Sequence, residues 1–318
     1  MNKRVKRGYL QISFAWMFAI IVGAFILFLA IYFATKLVNT EEKVLDLKTG
    51  KEIGILLNPI ETSVESVKLT TLTFPKETRI YGGCDDNYGF FGKQLIQISQ
   101  KGFNNQWTET EIDGSKTVSF QNKYIFTEDY TEGKKFYILS KPFNFPFKIA
   151  DLIYITSSSD SYCFLEPPDD IKEQISDLKQ PNLLLEGNCT GSKEEIRVCF
   201  DTGGDCDMAV YYDFDYVEKK GKRMVFKDDA LMYAAIFSKP ETYECQVKRL
   251  MQRTGQLASL YKDKALFVSQ KGCDSNLDLL GLINMINENY ENSNNLEIIK
   301  NKADKIEEDN DYSSCRLW

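Results

Sequence analysis

A long uncharged segment near the amino terminus constrains this chain more than any other feature. No Asp, Glu, Lys or Arg occurs from Gly8 to Thr35, and the apolar centre of this run, residues 12–34, has 23 positions. As a helix it would be about 34 Å long, which exceeds the hydrocarbon core of a bilayer, about 30 Å. The sequence therefore predicts a single transmembrane helix over residues 12–36 that contacts the lipid bilayer.

The charges beside this segment predict its orientation. Four basic residues and no acid precede it, whereas Lys36, Glu41 and Glu42 follow it. The four are Lys3, Arg4, Lys6 and Arg7. By the positive-inside rule residues 1–11 stay in the cytoplasm and everything after residue 36 lies outside the cell membrane. A cleaved secretory signal is the alternative, but its apolar region would have about 7–15 residues, so an uncleaved signal-anchor is favoured.

The start of the helix carries a short motif, Lys6-Arg7-Gly8 followed by Gln11-Ile12-Ser13-Phe14. It resembles the class III signal of archaeal type IV pilin-like proteins, in which a prepilin peptidase cuts after the Gly. The resemblance covers only the first thirty residues or so, and it implies a pilin-like, archaeal surface protein cleaved after Gly8. Tyr9-Leu10 separates Gly8 from Gln11, and Ala15 stands where the family has Glu. The alternative is a signal-anchor helix whose polar entry residues happen to match the motif.

Small residues recur along the same helix. Ala15, Ala19 and Gly23 are spaced four apart, so they lie on one helix face. Small residues at this spacing let two helices approach closely in lipid. They predict a homo-oligomer formed through the membrane helix, although Ala and Gly are also common in membrane helices that do not associate.

The cysteines all follow the predicted membrane segment. An even number, eight, confined to the part predicted to lie outside indicates disulfide bonds. They are Cys84, Cys163, Cys189, Cys199, Cys206, Cys245, Cys273 and Cys315. No Cys-x-x-Cys pair occurs, so no metal site is predicted, and the sequence does not choose among the many pairings. Asn188-Cys189-Thr190 is an N-glycosylation sequon, which makes Asn188 a candidate glycosylation site.

The rest of the chain predicts a juxtamembrane connector over residues 37–66 and an extracytoplasmic domain over residues 67–318. Residues 67–226 contain runs rich in Thr, Ile, Tyr and Phe with Gly, Asn and Asp between them, typical of an antiparallel sheet. Apolar residues at helical spacing follow over residues 228–310. The expected fold is therefore α+β: one transmembrane helix, then a disulfide-rich ectodomain with antiparallel β structure before a helical C-terminal part.

The longest helix predicted in this domain runs from Glu241 to about Val268. Apolar residues recur on one face, and basic residues stand on the other. We expect those basic residues, Lys248, Arg249 and Arg253, to form a solvated face, because a charge run on an amphipathic helix usually does.

Composition excludes several functions. Histidine is absent, which removes Ser-His-Asp and Cys-His nucleophiles, His-ligated metals and His-bound haem. The formal net charge is −7. An acidic chain lacks the clustered basic surface that phosphate backbones require, so no nucleic-acid partner is predicted.

An acidic loop is the one candidate for site chemistry. Asp201, Asp205 and Asp207 are candidate cation ligands, and Ca²⁺ is the only cofactor they suggest. Asp201-Thr202-Gly203 also resembles the Asp-Thr-Gly of aspartic proteases, but no second such tripeptide exists, so no catalytic residue is assigned. The sequence thus favours a structural or binding role in the cell envelope. The alternative is an extracytoplasmic carboxylate-dependent hydrolase, which would require these carboxylates to converge in a pocket.

Overall fold

The structure is a computed structural model. It describes residues 14–56 and 68–318, except for the following positions: 88, 90, 103–104, 109–110, 113–116, 193–194 and 202–205. Within 14–56, side chains are described at 14–34, 36 and 53. The chain divides into two units, Met1–Leu45 and Asp46–Trp318.

Helix α1 extends from Phe14 to Leu56. Its first part, Phe14–Ala34, has a mean hydropathy of 2.7 and is long and apolar enough to cross a membrane. An apolar helix at this place suggests a membrane anchor or a signal segment. The helix continues through the first part of the predicted connector, where residues such as Glu42, Lys43 and Leu45 have favourable helix propensity. Residues 57–67 lie outside the described part of the chain.

The first sheet contains six strands in the order β3-β2-β1-β5-β6-β4. Neighbouring strands are antiparallel, except that β4 is parallel to β6. The strands are β1 Lys68–Asp85, β2 Lys93–Gln100, β3 Val118–Phe120, β4 Tyr124–Phe126, β5 Tyr130–Asn144 and β6 Lys148–Ser157. Strand β1 pairs with both β2 and β5, and its register to β5 shifts between Thr73 and Thr78, around Pro75.

Side chains connect strands β2 and β4, so that the first sheet curls on itself. The amide N of Ile125 donates to Oε1 of Gln94 at 2.9 Å. Gln246, from a helix, donates through Nε2 to the same Oε1 and to the Ile125 carbonyl. The curled sheet encloses a small apolar core, which includes Ile53 near the end of α1, 2 % exposed. Its members are Ile53, Ile80, Ile96, Ile98, Ile125, Phe136, Ile138, Ile153 and Ile155.

The second sheet corrects the prediction of a purely antiparallel β part, since both sheets are mixed. Its order is β12-β11-β10-β9-β7-β8, and the pairs β7–β8, β7–β9 and β9–β10 are parallel. The strands are β7 Ser161–Leu165, β8 Leu183–Leu185, β9 Glu195–Phe200, β10 Met208–Tyr211, β11 Tyr216–Lys219 and β12 Lys222–Val225. Helix α2, Asp169–Leu178, connects β7 to β8, and such a crossover is what makes parallel pairing possible.

Helices form the C-terminal part, as the sequence predicts. They are α3 Asp229–Phe237, α4 Pro240–Ser269, α5 Leu279–Asn289 and α6 Leu296–Tyr312, with short 3₁₀ turns at Glu186–Asn188, Tyr212–Phe214 and Ser293–Asn295. Helix α3 is buried from Ala230 to Phe237 and packs against β6 of the first sheet and β11 of the second. The large core therefore lies between the sheets and the helices, and the predicted α+β class is confirmed.

Candidate functional site

All eight cysteines form disulfide bonds, as predicted. The pairs are Cys84–Cys245, Cys163–Cys189, Cys199–Cys206 and Cys273–Cys315. Cys84 lies on β1 and Cys245 on α4, so this bond connects the first sheet to the longest helix of the domain. Intact disulfides are typical of extracytoplasmic domains.

One cluster brings potential metal ligands together. The sulfurs of Cys163 and Cys189 and a carboxylate oxygen of Glu195 all lie within 4.8 Å of one another. The two sulfurs are bonded to each other, so neither is a thiolate that could bind a metal ion. Main-chain N–H groups of Thr190 and Gly191 donate to the Glu195 carboxylate and lower its pKa. This cluster is therefore a structural bridge between β7, β9 and the loop after β8.

The structure does not bring Asp201 and Asp207 together. Asp201 accepts from the amide of Tyr212, whereas Asp207 accepts from the amide of Arg197 at 2.8 Å. Because β9 and β10 are parallel, Asp201 lies beyond one end of the strand pair and Asp207 at the other end, about 13 Å away along the strand. Asp205 lies outside the described residues, so a Ca²⁺ site in this loop stays a prediction.

The remaining predicted site residues lie on exposed surface or outside the described chain. Ala15, Ala19 and Gly23 are exposed on α1, and association through them stays a prediction. Asn188 is exposed at the end of a 3₁₀ turn, directly before the disulfide-bonded Cys189. The pilin-like motif covers residues 6–14, of which only Phe14 lies in the described part of the chain.

A cavity that the sequence did not reveal lies between the first sheet and helices α2 and α3. Its volume is about 240 Å³. Leu139 and Lys141 stand two apart on β5 and thus on one face of the sheet, and Tyr154 on β6 is paired with Leu139. The complete lining is Leu139, Lys141, Tyr154, Gln174, Asp177, Leu178 and Tyr233. The sheet thus forms one wall, and the two helices form the others.

On one side of this cavity, Lys141, Gln174 and Asp229 form a hydrogen-bonded network. Lys141 Nζ donates to Gln174 Oε1 at 2.5 Å and lies 3.4 Å from Asp229 Oδ2. Gln174 Nε2 donates to the same Asp229 oxygen at 2.7 Å. Lys141 therefore enters the cavity as one partner of an ion pair that Gln174 bridges.

Two tyrosines form the aromatic side of the cavity. The Tyr154 hydroxyl donates to the Ala230 carbonyl at 2.7 Å. The Tyr233 ring lies 5.0 Å from Lys141 Nζ, and its buried hydroxyl has no hydrogen-bond partner among the described residues. Burial raises the pKa of both tyrosines, so both are neutral at ordinary pH.

Carboxylates do converge beside this cavity. The Tyr212 hydroxyl lies 3.0 Å from Asp170 Oδ2 and 3.3 Å from Asp229 Oδ1. Burial, with the nearby carboxylates, raises the Tyr212 pKa, so this hydroxyl keeps its proton and can donate it to one of the two. Next to Asp229, burial raises the pKa of Asp228 to about 7. Among the described residues, the acidic groups that share a site therefore lie on α2 and at the start of α3, whereas Asp201 and Asp207 lie apart.

No family model, no curated protein and no solved structure matches this chain. Its function must therefore be inferred from its own residues. The cavity could not be predicted from the sequence, because the residues that line it come from two strands and two helices that are far apart along the chain and contain no motif.

Proposed function

We propose that this protein is a single-pass, membrane-anchored protein of the cell envelope, with a disulfide-bonded domain outside the cytoplasm and a structural or binding role. The observation that carries the proposal is that one chain combines an exposed apolar helix with a fully disulfide-bonded domain. Phe14–Ala34 is an apolar helix with no cover from the described chain, and every cysteine of the following domain is in a disulfide. Lipid is the usual cover for such a helix, and oxidising compartments are where disulfides persist.

The charges before the helix supply the orientation in this proposal. The excess of Lys and Arg over residues 1–11 keeps that end in the cytoplasm and the folded domain on the other side. The motif around Gly8 refines the proposal to a pilin-like, archaeal component that is cleaved there. Assembly would then use the small-residue face at Ala15, Ala19 and Gly23.

Intact mass of the membrane-extracted protein tests the proposal. We expect no free thiol before reduction and eight after it, because an extracytoplasmic domain keeps its disulfides. Loss of residues 1–8 would support pilin-like processing, and a full-length amino terminus would reduce the proposal to a stationary anchor. Eight free thiols in the unreduced protein would contradict the extracytoplasmic location.

Protease accessibility in intact spheroplasts tests the orientation separately. Added protease should degrade an epitope placed after Trp318 while the basic amino terminus stays protected. In the matched control, four Glu residues replace Lys3, Arg4, Lys6 and Arg7, and we expect this variant to lose the uniform orientation. An epitope that is protected in the unsubstituted protein would contradict the proposal.

A carboxylate-dependent hydrolase is the second candidate. The convergence of Asp170 and Asp229 on the Tyr212 hydroxyl, beside a cavity, favours it. Purified protein would be assayed with chromogenic glycosides and esters, as the unsubstituted chain, as Asp229→Asn and as the exposed control Asp213→Asn. If Asp229→Asn abolishes turnover and Asp213→Asn preserves it, the protein is a hydrolase and not purely structural. If no substrate is turned over, the hydrolase proposal is contradicted.

A further inference from the structure

We propose that the cavity between β5, β6, α2 and α3 binds one neutral, polyhydroxylated small molecule with the size of a single sugar ring. The inference rests on the proposed binding role and gives it a ligand class. Three properties of the cavity carry it: its volume, the balance of its charges, and the alternation of aromatic and hydrogen-bonding groups on its walls.

The volume limits the ligand. About 240 Å³ is smaller than the pockets of roughly 300–1,000 Å³ that hold drug-sized molecules. The walls belong to strands and helices, since Leu139 and Tyr154 are paired across two long strands and Gln174 lies within α2. A site on such elements keeps its shape when empty, which favours a compact ring over a flexible chain.

The charges on the walls exclude a ligand with a net charge. Lys141 is already paired with Asp229, and Asp177 adds a carboxylate to the lining. An anionic ligand would lie close to these carboxylates, and a cationic ligand would lie close to the Lys141 ammonium. An anion would lose solvation without gaining an unpaired counter-charge, and the one carboxylate left for a cation, Asp177, is exposed, so water screens its attraction. A neutral ligand is therefore favoured.

The walls match the two kinds of surface on a sugar ring. Tyr154, Tyr233, Leu139 and Leu178 provide apolar surface for the C–H faces of a ring. Gln174 and Lys141 each have an N–H left after the bonds within the network, and these can donate to ring hydroxyls. A cavity with apolar walls and a few fixed polar groups is the usual form of a small-molecule site.

The Tyr233 hydroxyl supplies an independent observation. Tyr233 is only 4 % exposed, and its hydroxyl has no partner in the described chain, although an unsatisfied buried hydroxyl is costly. Tyr233 lines the cavity, and the Lys141 ammonium lies over its ring. A hydroxyl of the bound ligand would supply the missing hydrogen-bond partner.

Ligand-observed NMR on the full chain in detergent tests the proposal. The neutral probes are glucose, galactose, mannose and myo-inositol, and the charged analogues are glucosamine and glucuronate. We expect at least one neutral probe to bind with a Kd on the order of millimolar, and its charged counterparts to bind about tenfold more weakly. Absence of binding by every neutral probe up to about 50 mM, or tighter binding of a charged analogue, would overturn the proposal.

Matched variants assign the binding to this cavity. Gln174→Met removes the bridging amide, and we expect at least a tenfold loss of affinity, whereas Glu173→Met on the exposed side of α2 should leave affinity unchanged. Asp177→Asn is a second test at an exposed position, where misfolding is not expected; we expect several-fold weaker binding. Equal affinity in Gln174→Met and Glu173→Met would place the binding elsewhere and contradict the proposal.

The outcome is separable from that of the proposed function. Binding in detergent does not depend on which side of a membrane the domain occupies. A failed binding experiment would leave the anchor and the orientation intact, and a cytoplasmic domain that still bound sugar would overturn only the proposed function.

Discussion

Two helices in this chain are apolar on every side, and their surroundings are opposite. In α3 every residue from Ala230 to Phe237 is buried by the chain itself. In Phe14–Ala34 nearly every side chain is exposed. Hydropathy alone predicts that both helices must be shielded from water, either by protein or by lipid. Length separates the two cases: nine residues extend about 14 Å, whereas 21 residues extend about 32 Å and can cross a bilayer.

A helix that is buried in protein needs hydrogen-bond partners for the main-chain groups at its ends, and α3 has them at both. Asp228 accepts from the amide of Leu231 at the start of α3. At its other end the buried Lys219 donates to the carbonyls of Ile236 and Ser238, at 2.8 and 2.9 Å. These side chains satisfy end groups that water cannot reach. A membrane-spanning helix needs no such partners at its ends, because its ends reach the polar headgroups.

The largest expected effect comes from removing the crosslink between the first sheet and α4, which packs beside α3. Cys84 and Cys245 are 161 residues apart, so their bond restricts the unfolded chain most; in the chain-entropy account its loss costs about 5 kcal/mol. Urea unfolding of Cys84→Ala/Cys245→Ala would measure this loss. The control, Cys199→Ala/Cys206→Ala, removes a bond spanning 7 residues and should cost about 2 kcal/mol. Equal losses would contradict the entropic account.

A matched pair of substitutions compares the two helices directly. Phe237 on α3 is 1 % exposed, and Phe237→Ala should lower the free energy of unfolding by about 4 kcal/mol because it leaves a cavity. Phe25 is 61 % exposed, and Phe25→Ala should leave thermal unfolding of the domain in detergent unchanged. A similar loss in both variants would mean that the apolar helix Phe14–Ala34 is packed against protein.

The same comparison explains how much of the fold the sequence reveals. The helical pattern predicted over residues 228–310 is confirmed by helices α3 to α6, because apolar runs there end at clear polar residues. Strand β7, Ser161–Leu165, has only five residues and little periodicity, so the sequence does not delimit it. Without β7 the crossover through α2 has no first strand, so the parallel pairing could not be predicted.

The burial of polar side chains was the other feature that the sequence analysis did not predict. Arg249 was expected on a solvated face, yet it is 0 % exposed. Helical spacing places a residue on a face but does not say whether another element covers that face. The sequence does not reveal the cavity around Lys141 and Tyr233 for the same reason, since its residues meet only when two strands of the first sheet pack against two helices.

The next prediction concerns Arg249. The folded domain buries this cation, whereas the apolar helix Phe14–Ala34 contains no charged residue. The Arg249 guanidinium donates to the carbonyls of Phe91, Gln121 and Lys123, and burial lowers its pKa. Arg249→Met would leave these carbonyls without a donor, which should cost about 3 kcal/mol of unfolding free energy. Lys248→Met, beside it in surface ion pairs, should cost no more than about 1 kcal/mol in the same urea unfolding experiment. Equal costs would mean that Arg249 is solvated after all.

The last expected effect, similar in size to that of Arg249→Met, is a pH dependence at the start of α3. Burial raises the pKa of Asp228 to about 7, although the Leu231 amide, Lys141 and Lys300 oppose the shift, and the neighbouring Asp229 adds to it. Unfolding returns this carboxyl to its ordinary pKa near 3.8. Between those two pH values the folded state holds a proton that the unfolded state has released. The contribution of Asp228 to stability is therefore fully present below about pH 4, falls as the pH rises, and is lost above about pH 7.

Asp228→Asn isolates that contribution, because Asn remains a good helix cap but does not titrate. Relative to the unsubstituted protein, the variant should gain on the order of 3 kcal/mol between pH 4 and pH 7. Urea unfolding at both pH values measures the difference, and Asp213→Asn on the surface serves as the control, with no change expected. A difference that does not vary with pH would show that the Asp228 carboxyl is already ionised within the fold. In that case α3 would resemble the amino-terminal apolar helix in having a solvated end, and the contrast between the two helices would be confined to their middle turns.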